Sequence, residues 1–327
     1  MKIAITGATG FLGATLVPLL LKEGHALRLL IRDPSQKEAY GEQVAYVTGS
    51  LTDETSLQSL VQDATVVIHL AAVISLNDQP DEKMFYTNTT GTRILLEAAK
   101  KAGVKRFIHL SSVTAFQQAP FDERLDETRP LQAATQFTYE HSKAAAQAIV
   151  LSYNDPELEV IVLAPTAIVG PHDLKPSLLG SAIMRIYQEA VPALFPGGVD
   201  FVDVRDVAAA IVSALTLGTP GKAYLLGGEW ATLVTLSQYI GQVKGKKISL
   251  PVLPLWLIFS LLPLVKLWAR LSGSPPFYTK QSIYNLIYSN KKIDHSRAGA
   301  ELQFHPRPLS TTLTDTINWF KQTGNIS

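Results

Sequence analysis

"KIAITGATGFLGATLVPLLLKEG", Lys2 to Gly24, decides the fold. Its first part is a short, apolar, β-rich run that ends at Gly7. Its second part has an apolar face at helical spacing and stops at Gly24. Between them Gly7, Gly10 and Gly13 stand in the spacing GxxGxxG. A phosphate needs backbone N–H groups close by, and a β-carbon would obstruct the approach. The start of the following helix adds aligned N–H donors and a positive dipole end. The third glycine lets that helix pack closely. A plain strand–helix turn that happens to hold glycines is the alternative. Placed after the first strand of a βαβ unit, the pattern predicts a dinucleotide site around Gly7, Thr9, Gly10, Phe11, Leu12 and Gly13.

The same alternation continues outward. "ALRLLIR", "VAYVTGS", "TVVIHLAA" and "KRFIHLSS" read as further strands. "SLQSLVQDA" has helical periodicity, and "NTTGTRILLEAAKKAG" reads as a helix that opens at Asn88 and stops at Gly103. "LEVIVLAPTAIVG" is another apolar strand ending in a Pro/Gly loop, "FVDVRDVAAAIVSAL" a short strand and helix, and "KAYLLGG" a strand. A β-α-β-α order with strands apolar throughout calls for a parallel sheet covered on both faces. The expected class is α/β, a doubly wound parallel sheet of the Rossmann type. Residues 1–170 and 200–228 form its cofactor unit. Residues 171–199 and 229–327 form a smaller, mostly helical substrate-binding portion.

Bulk composition narrows the function. The 327 residues are 46% hydrophobic and 17% charged, so the chain reads as globular with a sizeable core. A net charge of +1 gives no footprint for nucleic acid. The absence of cysteine excludes disulfides and thiolate metal sites, and no metal is expected. The N-terminus lacks the pattern of a secretory signal. "LPVLPLWLIFSLLPLVKLW", 250–268, approaches the length of a bilayer span, yet it carries Pro251, Pro254, Pro263 and Lys266. It reads as a buried or substrate-lining segment, with peripheral membrane contact as the alternative and a spanning helix as a third. The expected location is cytoplasmic, with membrane association tied to that alternative.

Three features bear on chemistry. Ser111 and Ser112 end the fifth strand, at the carboxyl edge where ligands bind in open α/β sheets. Tyr139 and Lys143 lie one helical turn apart and share a face. A free phenol has a pKa of about 10, and a nearby ammonium draws it toward the working range. A serine hydroxyl can hold a carbonyl or alcohol oxygen beside the phenol. Each residue also has a plainer reading: a packing aromatic, a solvated lysine, serines that satisfy a strand end, and Asn88 as a helix cap. Arg32 stands 19 residues after Gly13, where an acidic residue would bind ribose hydroxyls. A guanidinium instead suits a 2′-phosphate, which favours NADP over NAD. An exposed Arg32 paired with Asp33 would leave that preference open, and Lys37 is a further candidate.

These segments resemble the extended short-chain dehydrogenases/reductases over almost the whole chain. "TGATGFLG" resembles their cofactor loop, and "VIHLAA" their fourth-strand motif, in which Ala71 and Ala72 leave room for the dinucleotide. "NTTGT" is similar to their "NVxGT" segment, "HLSSVTAF" to the catalytic-serine segment, and "YEHSK" to Tyr-x-x-x-Lys. "APTAIVGPHD" resembles the loop near the nicotinamide amide, bringing in Pro165 and Ile168. "FVDVRDVAAAI" resembles the motif that closes the substrate side. The resemblance implies Tyr139 as proton donor or acceptor, Lys143 tuning it, Ser112 ahead of Ser111 orienting the oxygen, and Asn88 supporting a relay. The segment Gly49–Asp53 departs from the family by carrying Ser50 where many relatives have Asp for the adenine. Leu51 stays among the expected cofactor neighbours. Ala164 stands where an arginine is frequent, and Phe116–Gln117 where nucleotide-sugar enzymes often have Tyr–Gly.

"LIRDPSQ" and the ending "ELQFHPRPLSTTLTDTINWF" resemble the dihydroflavonol reductase and 3β-hydroxysteroid dehydrogenase branch. A diphosphate pocket wants converging Arg or Lys, whereas 250–268 offers Trp256, Phe259 and Trp268 among leucines. The expected substrate is an apolar small-molecule carbonyl or alcohol, with His172 and Asp173 beside its entrance. A nucleotide-sugar epimerase or dehydratase with bound NAD is the alternative. A catalytically silent dinucleotide sensor or scaffold is a second. A homodimer would be ordinary for the family.

Overall fold

Ile3, Ala4, Ile5 and Thr6 are all buried, so the first strand is covered on both faces, as a central parallel strand must be. The computed structural model describes residues 1–74, 80–133, 138–272 and 280–326, with the side chains of Glu38, Thr138 and 264–272 left aside. Strands β1 (Lys2–Thr6), β2 (Ala26–Ile31), β3 (Ala45–Thr48), β4 (Val66–His69), β5 (Arg106–Leu110), β6 (Glu159–Pro165) and β9 (Lys222–Leu226) form one sheet. Its order is β3-β2-β1-β4-β5-β6-β9, and every pair is parallel. The chain runs outward from β1 to β3 and then returns to the other side of β1 at β4. That reversal opens a crevice at the carboxyl ends of β1 and β4, the usual ligand position in such sheets.

Helices α1 (Phe11–Lys22) and α6 (Val204–Ser213) cover one face; α2 (Glu54–Val61), α3 (Glu82–Lys101) and α4 (Thr138–Ser152) cover the other. Leu16, Val17 and Leu20 of α1 are fully buried against Ile3 and Ile5. Each such side chain contributes about 1.5–3 kcal/mol of burial.

Two details differ from the sequence expectation. The run 158–170 does not end in a loop. It leaves the main sheet at Pro165 and re-enters as β7 (Ala167–Val169) in a second sheet, of order β10-β8-β7. Here β8 (Gly198–Asp203) reaches into the stretch read with the cofactor unit, and β10 is Glu229–Thr232. Buried Thr166 makes the switch, donating its hydroxyl to Asp200 Oδ1 at 2.7 Å. Second, Asn88 does not open its helix. Asp81 caps the N-terminus of α3, accepting from the Met84 N–H at 2.9 Å, and Asn88 lies inside.

The rest of the small portion is α5 (Leu178–Tyr187), α7 (Leu233–Lys244), α8 (Leu255–Ser272), α9 (Lys280–Ile287), α10 (Ser296–Leu302) and α11 (Leu309–Gln322). Of these, α10 packs instead onto β9 and α6 of the large unit. The proline-bearing segment 250–268 thus becomes helix from Leu255. Ile258 and Leu262 enter the small core, while Trp256 is 69% exposed. The Lys266 and Trp268 side chains lie outside the described residues. Among the described residues, no helix is long and apolar enough to cross a membrane.

Candidate active site

The three loop glycines do three different jobs. Gly7 has φ +76°, and a β-carbon there would stand 2.7 Å from the Ala71 nitrogen, so only glycine fits where the loop crosses the end of β4. At Gly13 a β-carbon would meet the Ala8 carbonyl oxygen at 2.2 Å, so this glycine seats α1 on the loop itself. Gly10 is exposed, and its nearest neighbour in that direction is the Gly7 oxygen at 3.3 Å. It is the N-cap of α1 and supplies no side-chain cap, and the first turn holds no acidic residue. This open, uncapped helix start fits a dinucleotide diphosphate. Thr9 and Phe11 are half-buried beside it, and Leu12 is buried. Tyr40 braces the loop from outside, donating to the Ala8 carbonyl at 2.8 Å.

Arg32 follows the last residue of β2 and is exposed. Among the described residues its guanidinium has no ion pair with Asp33. Asp33 instead caps the next turn, accepting from the Ser35 N–H at 2.9 Å, and Lys37 is exposed in that turn. Leu51 is buried where α3 approaches closely at Gly91. Ala71 and Ala72 are half-buried after β4; Pro165 and Ile168 flank the passage from β6 into β7.

Residues 139, 143 and 147 recur every fourth position on α4 and share one face. That face lies on the carboxyl end of β5. Lys143 Nζ donates to the Leu110 carbonyl at 2.9 Å, and Ser111 Oγ donates to Gln147 Oε1 at 2.5 Å. Ser111 is thereby consumed. Ser112 remains half-buried, its hydroxyl 2.9 Å from that of Thr114. Tyr139 is half-buried, and among the described residues no hydrogen bond to its hydroxyl is present. Asn88 clamps the backbone beside this centre. Its side chain accepts from the Val73 N–H at 2.8 Å and donates to the Val73 carbonyl at 2.9 Å. It also donates to Ser142 Oγ at 3.1 Å, and Ser142 donates to the Tyr139 carbonyl at 2.7 Å.

The electrostatics differ from expectation in one respect. Burial pushes the Tyr139 phenol up, and the neighbouring Glu140 carboxylate adds to the rise. In the protein alone the phenol is therefore held protonated. Burial also lowers the Lys143 ammonium to about 8. The unfolded chain binds that proton more tightly, so this group's contribution to stability rises with pH between about 8 and its ordinary 10.5. Against Lys143→Met, the protein without cofactor should gain ~3 kcal/mol across that window. Urea unfolding of both at each pH tests it, and a constant difference would contradict the burial of this charge.

Several participants carried no sequence signal of their own. Thr114, Ser142 and Gln147 become visible only once α4 is docked. His69 joins Thr6 (2.7 Å) to Thr92 (2.9 Å), and its ring centroid lies 5.2 Å from that of buried His109. Burial holds both imidazoles neutral. His172 and Asp173, expected beside the substrate entrance, contact α1 and α5. His172 sits 3.4 Å from the Thr15 hydroxyl of α1, and Asp173 accepts from the Ser177 N–H and hydroxyl at the start of α5.

The sequence profile of the NAD dependent epimerase/dehydratase family matches residues 3–227. The chain belongs to this family. It is 33% identical to sterol demethylase protein B of Methylococcus capsulatus over the full length of both. It is 31% identical to a putative dihydroflavonol 4-reductase of Synechocystis, covering 98% of this chain and 95% of that one. The crystal structure of gox2253 superposes with a TM-score of 0.81 at 31% identity, over 100% of this chain and 99% of that one. As a member of the epimerase/dehydratase family, the chain is an enzyme that works with a nicotinamide dinucleotide.

Proposed function

We propose that this enzyme is an NADP-dependent oxidoreductase that interconverts a secondary alcohol and its ketone on an apolar small molecule. The observation that carries the reading is the Tyr139–Lys143–Gln147 face of α4 set on the carboxyl end of β5, next to the half-buried Ser112. Gly7, Gly10, Gly13 and the start of α1 would hold the diphosphate, and Arg32 a 2′-phosphate. The bound nicotinamide supplies or accepts the hydride. Tyr139 gives its proton to the substrate oxygen during reduction and takes it back during oxidation. Ser112 donates a hydrogen bond to that oxygen, and Lys143 keeps positive charge beside the phenol as negative charge develops. A phenol held protonated by burial is the form that reduction requires.

The apolar substrate class rests on other support. It is supported by the names of the two relatives, one of which mentions a sterol and the other a dihydroflavonol. The test is to supply purified enzyme with NADPH or NADH and a panel of apolar ketones, and to follow cofactor oxidation. NADPH should be preferred. Arg32→Glu should reverse the preference by roughly a hundredfold, since it exchanges a phosphate-binding cation for a repelling anion. No cofactor oxidation across the panel, together with turnover of a UDP-sugar, would replace this reading with an epimerase.

A further inference from the structure

Glu140 directly follows the active-site tyrosine and is only 6% exposed. A buried carboxylate is costly unless hydrogen bonds hold it. Its partner comes from the small portion: Gln281 Nε2, itself on a 1% exposed residue, lies 3.0 Å from each carboxylate oxygen. The Asn285 amide, one turn along α9, adds a second hydrogen bond. The catalytic helix and α9 are thus joined at the residue beside the phenol.

That joint sits on a face with a particular character. Gln281, Tyr284, Asn285 and Tyr288 recur at i, i+3, i+4 and i+7, so they share one side of α9. The Tyr284 and Tyr288 rings lie 5.2 Å apart between centroids, tilted by 37°, with the Lys280 ammonium 5.5 Å from the Tyr284 ring centroid. The row extends to Phe259 of α8 at 6.0 Å and to Phe121, in the segment after β5, at 5.5 Å. It is not sealed in a core: Tyr288 is 46% exposed. The far end of α9 is pinned as well. The Asn290 amide donates to the carbonyls of Gln118 (3.1 Å), Pro120 (3.0 Å) and Glu123 (2.9 Å). A row of rings fixed at both ends and open along one edge is a rigid apolar platform.

We infer that the Tyr284–Tyr288 row is the platform for the flat, polycyclic body of the substrate, and that the Glu140–Gln281 clamp positions it against the reaction centre. This rests on the oxidoreductase reading for which atom of the ligand reacts, and not for where the body lies. Glu140 is a positioning residue: it acts through α9.

Equilibrium binding of a steroid ketone (progesterone) and of a flavanone (naringenin), with NADP⁺ present, tests the inference. At least one of them should bind the wild type. Glu140→Ala, Gln281→Glu and Tyr288→Ala should each weaken that ligand by about tenfold or more. NADP⁺ affinity should stay unchanged. The double variant Glu140→Gln with Gln281→Glu exchanges carboxylate and amide and should restore binding to within about threefold of wild type. Tyr288 is exposed, so its variant folds even if Glu140→Ala does not. Unchanged ligand affinity in Tyr288→Ala and Gln281→Glu, failure of the exchange to restore binding, or no binding of either ligand overturns the platform. Binding without turnover leaves the platform standing and removes the oxidoreductase reading. Turnover with unchanged affinity in the variants does the reverse.

Discussion

Tyr139→Phe should lower turnover by roughly a thousandfold while leaving fold and cofactor affinity intact. The substitution removes one oxygen atom. That oxygen has no hydrogen-bond partner among the described residues, so no buried donor or acceptor is stranded by its loss. The aromatic ring keeps its packing, and Asn88 and Ser142 still hold the Tyr139 backbone carbonyl rather than its side chain. The variant therefore isolates chemistry from structure. Thermal unfolding and NADPH titration should match wild type, and only the rate with a ketone should fall. Full turnover in this variant would remove the phenol from the mechanism. Ser112 would then be the next residue to test.

The signals that point to the proposed centre are local. The glycine loop needs glycine for reasons set within a few residues, and the tyrosine and lysine of α4 stand one turn apart. What escaped the sequence depends on long-range contact. Glu140 reads as an ordinary helix-start acid until Gln281, 141 positions later, is placed on it. Burial reverses the expected direction for the phenol, and this carboxylate one residue away adds to it; both favour the protonated form. Tyr40 reaches the Ala8 carbonyl across 32 positions, from a turn with no motif of its own. The break at Pro165 is invisible in hydropathy, since the run stays apolar from one sheet into the next; only buried Thr166 and its bond to Asp200 mark the crossing. Asn88 reads as a cap because a polar residue before a helical pattern resembles one, yet Asp81 has the capping geometry. Arg32 was legible as a position, and the capping role of Asp33 explains why the two do not pair.

The loop glycines give the second large effect, and they separate stability from cofactor affinity. At Gly13 an added β-carbon would overlap the Ala8 carbonyl at 2.2 Å, against backbone that cannot yield cheaply. Gly13→Ala must push α1 outward, and Leu12, Leu16, Val17 and Leu20 move with it out of the core. Overpacking of this kind costs about 3 kcal/mol or more, so the unfolding midpoint should drop by several degrees. At Gly10 the backbone is already extended, with φ −84° and ψ 177°, the residue is exposed, and an added β-carbon would meet only the Gly7 carbonyl oxygen, at 3.3 Å. Gly10→Ala should keep the stability within ~0.5 kcal/mol, since alanine adopts that conformation freely. It should still weaken NADPH by about a hundredfold, because the methyl group stands where the diphosphate must meet the first N–H groups of α1. The pair is read by thermal unfolding and by NADPH titration on the same samples. Equal losses of stability in both variants would mean that Gly10, too, is a packing residue. Undiminished NADPH affinity in Gly10→Ala would move the diphosphate away from this loop, and with it the nicotinamide from the Tyr139 hydroxyl.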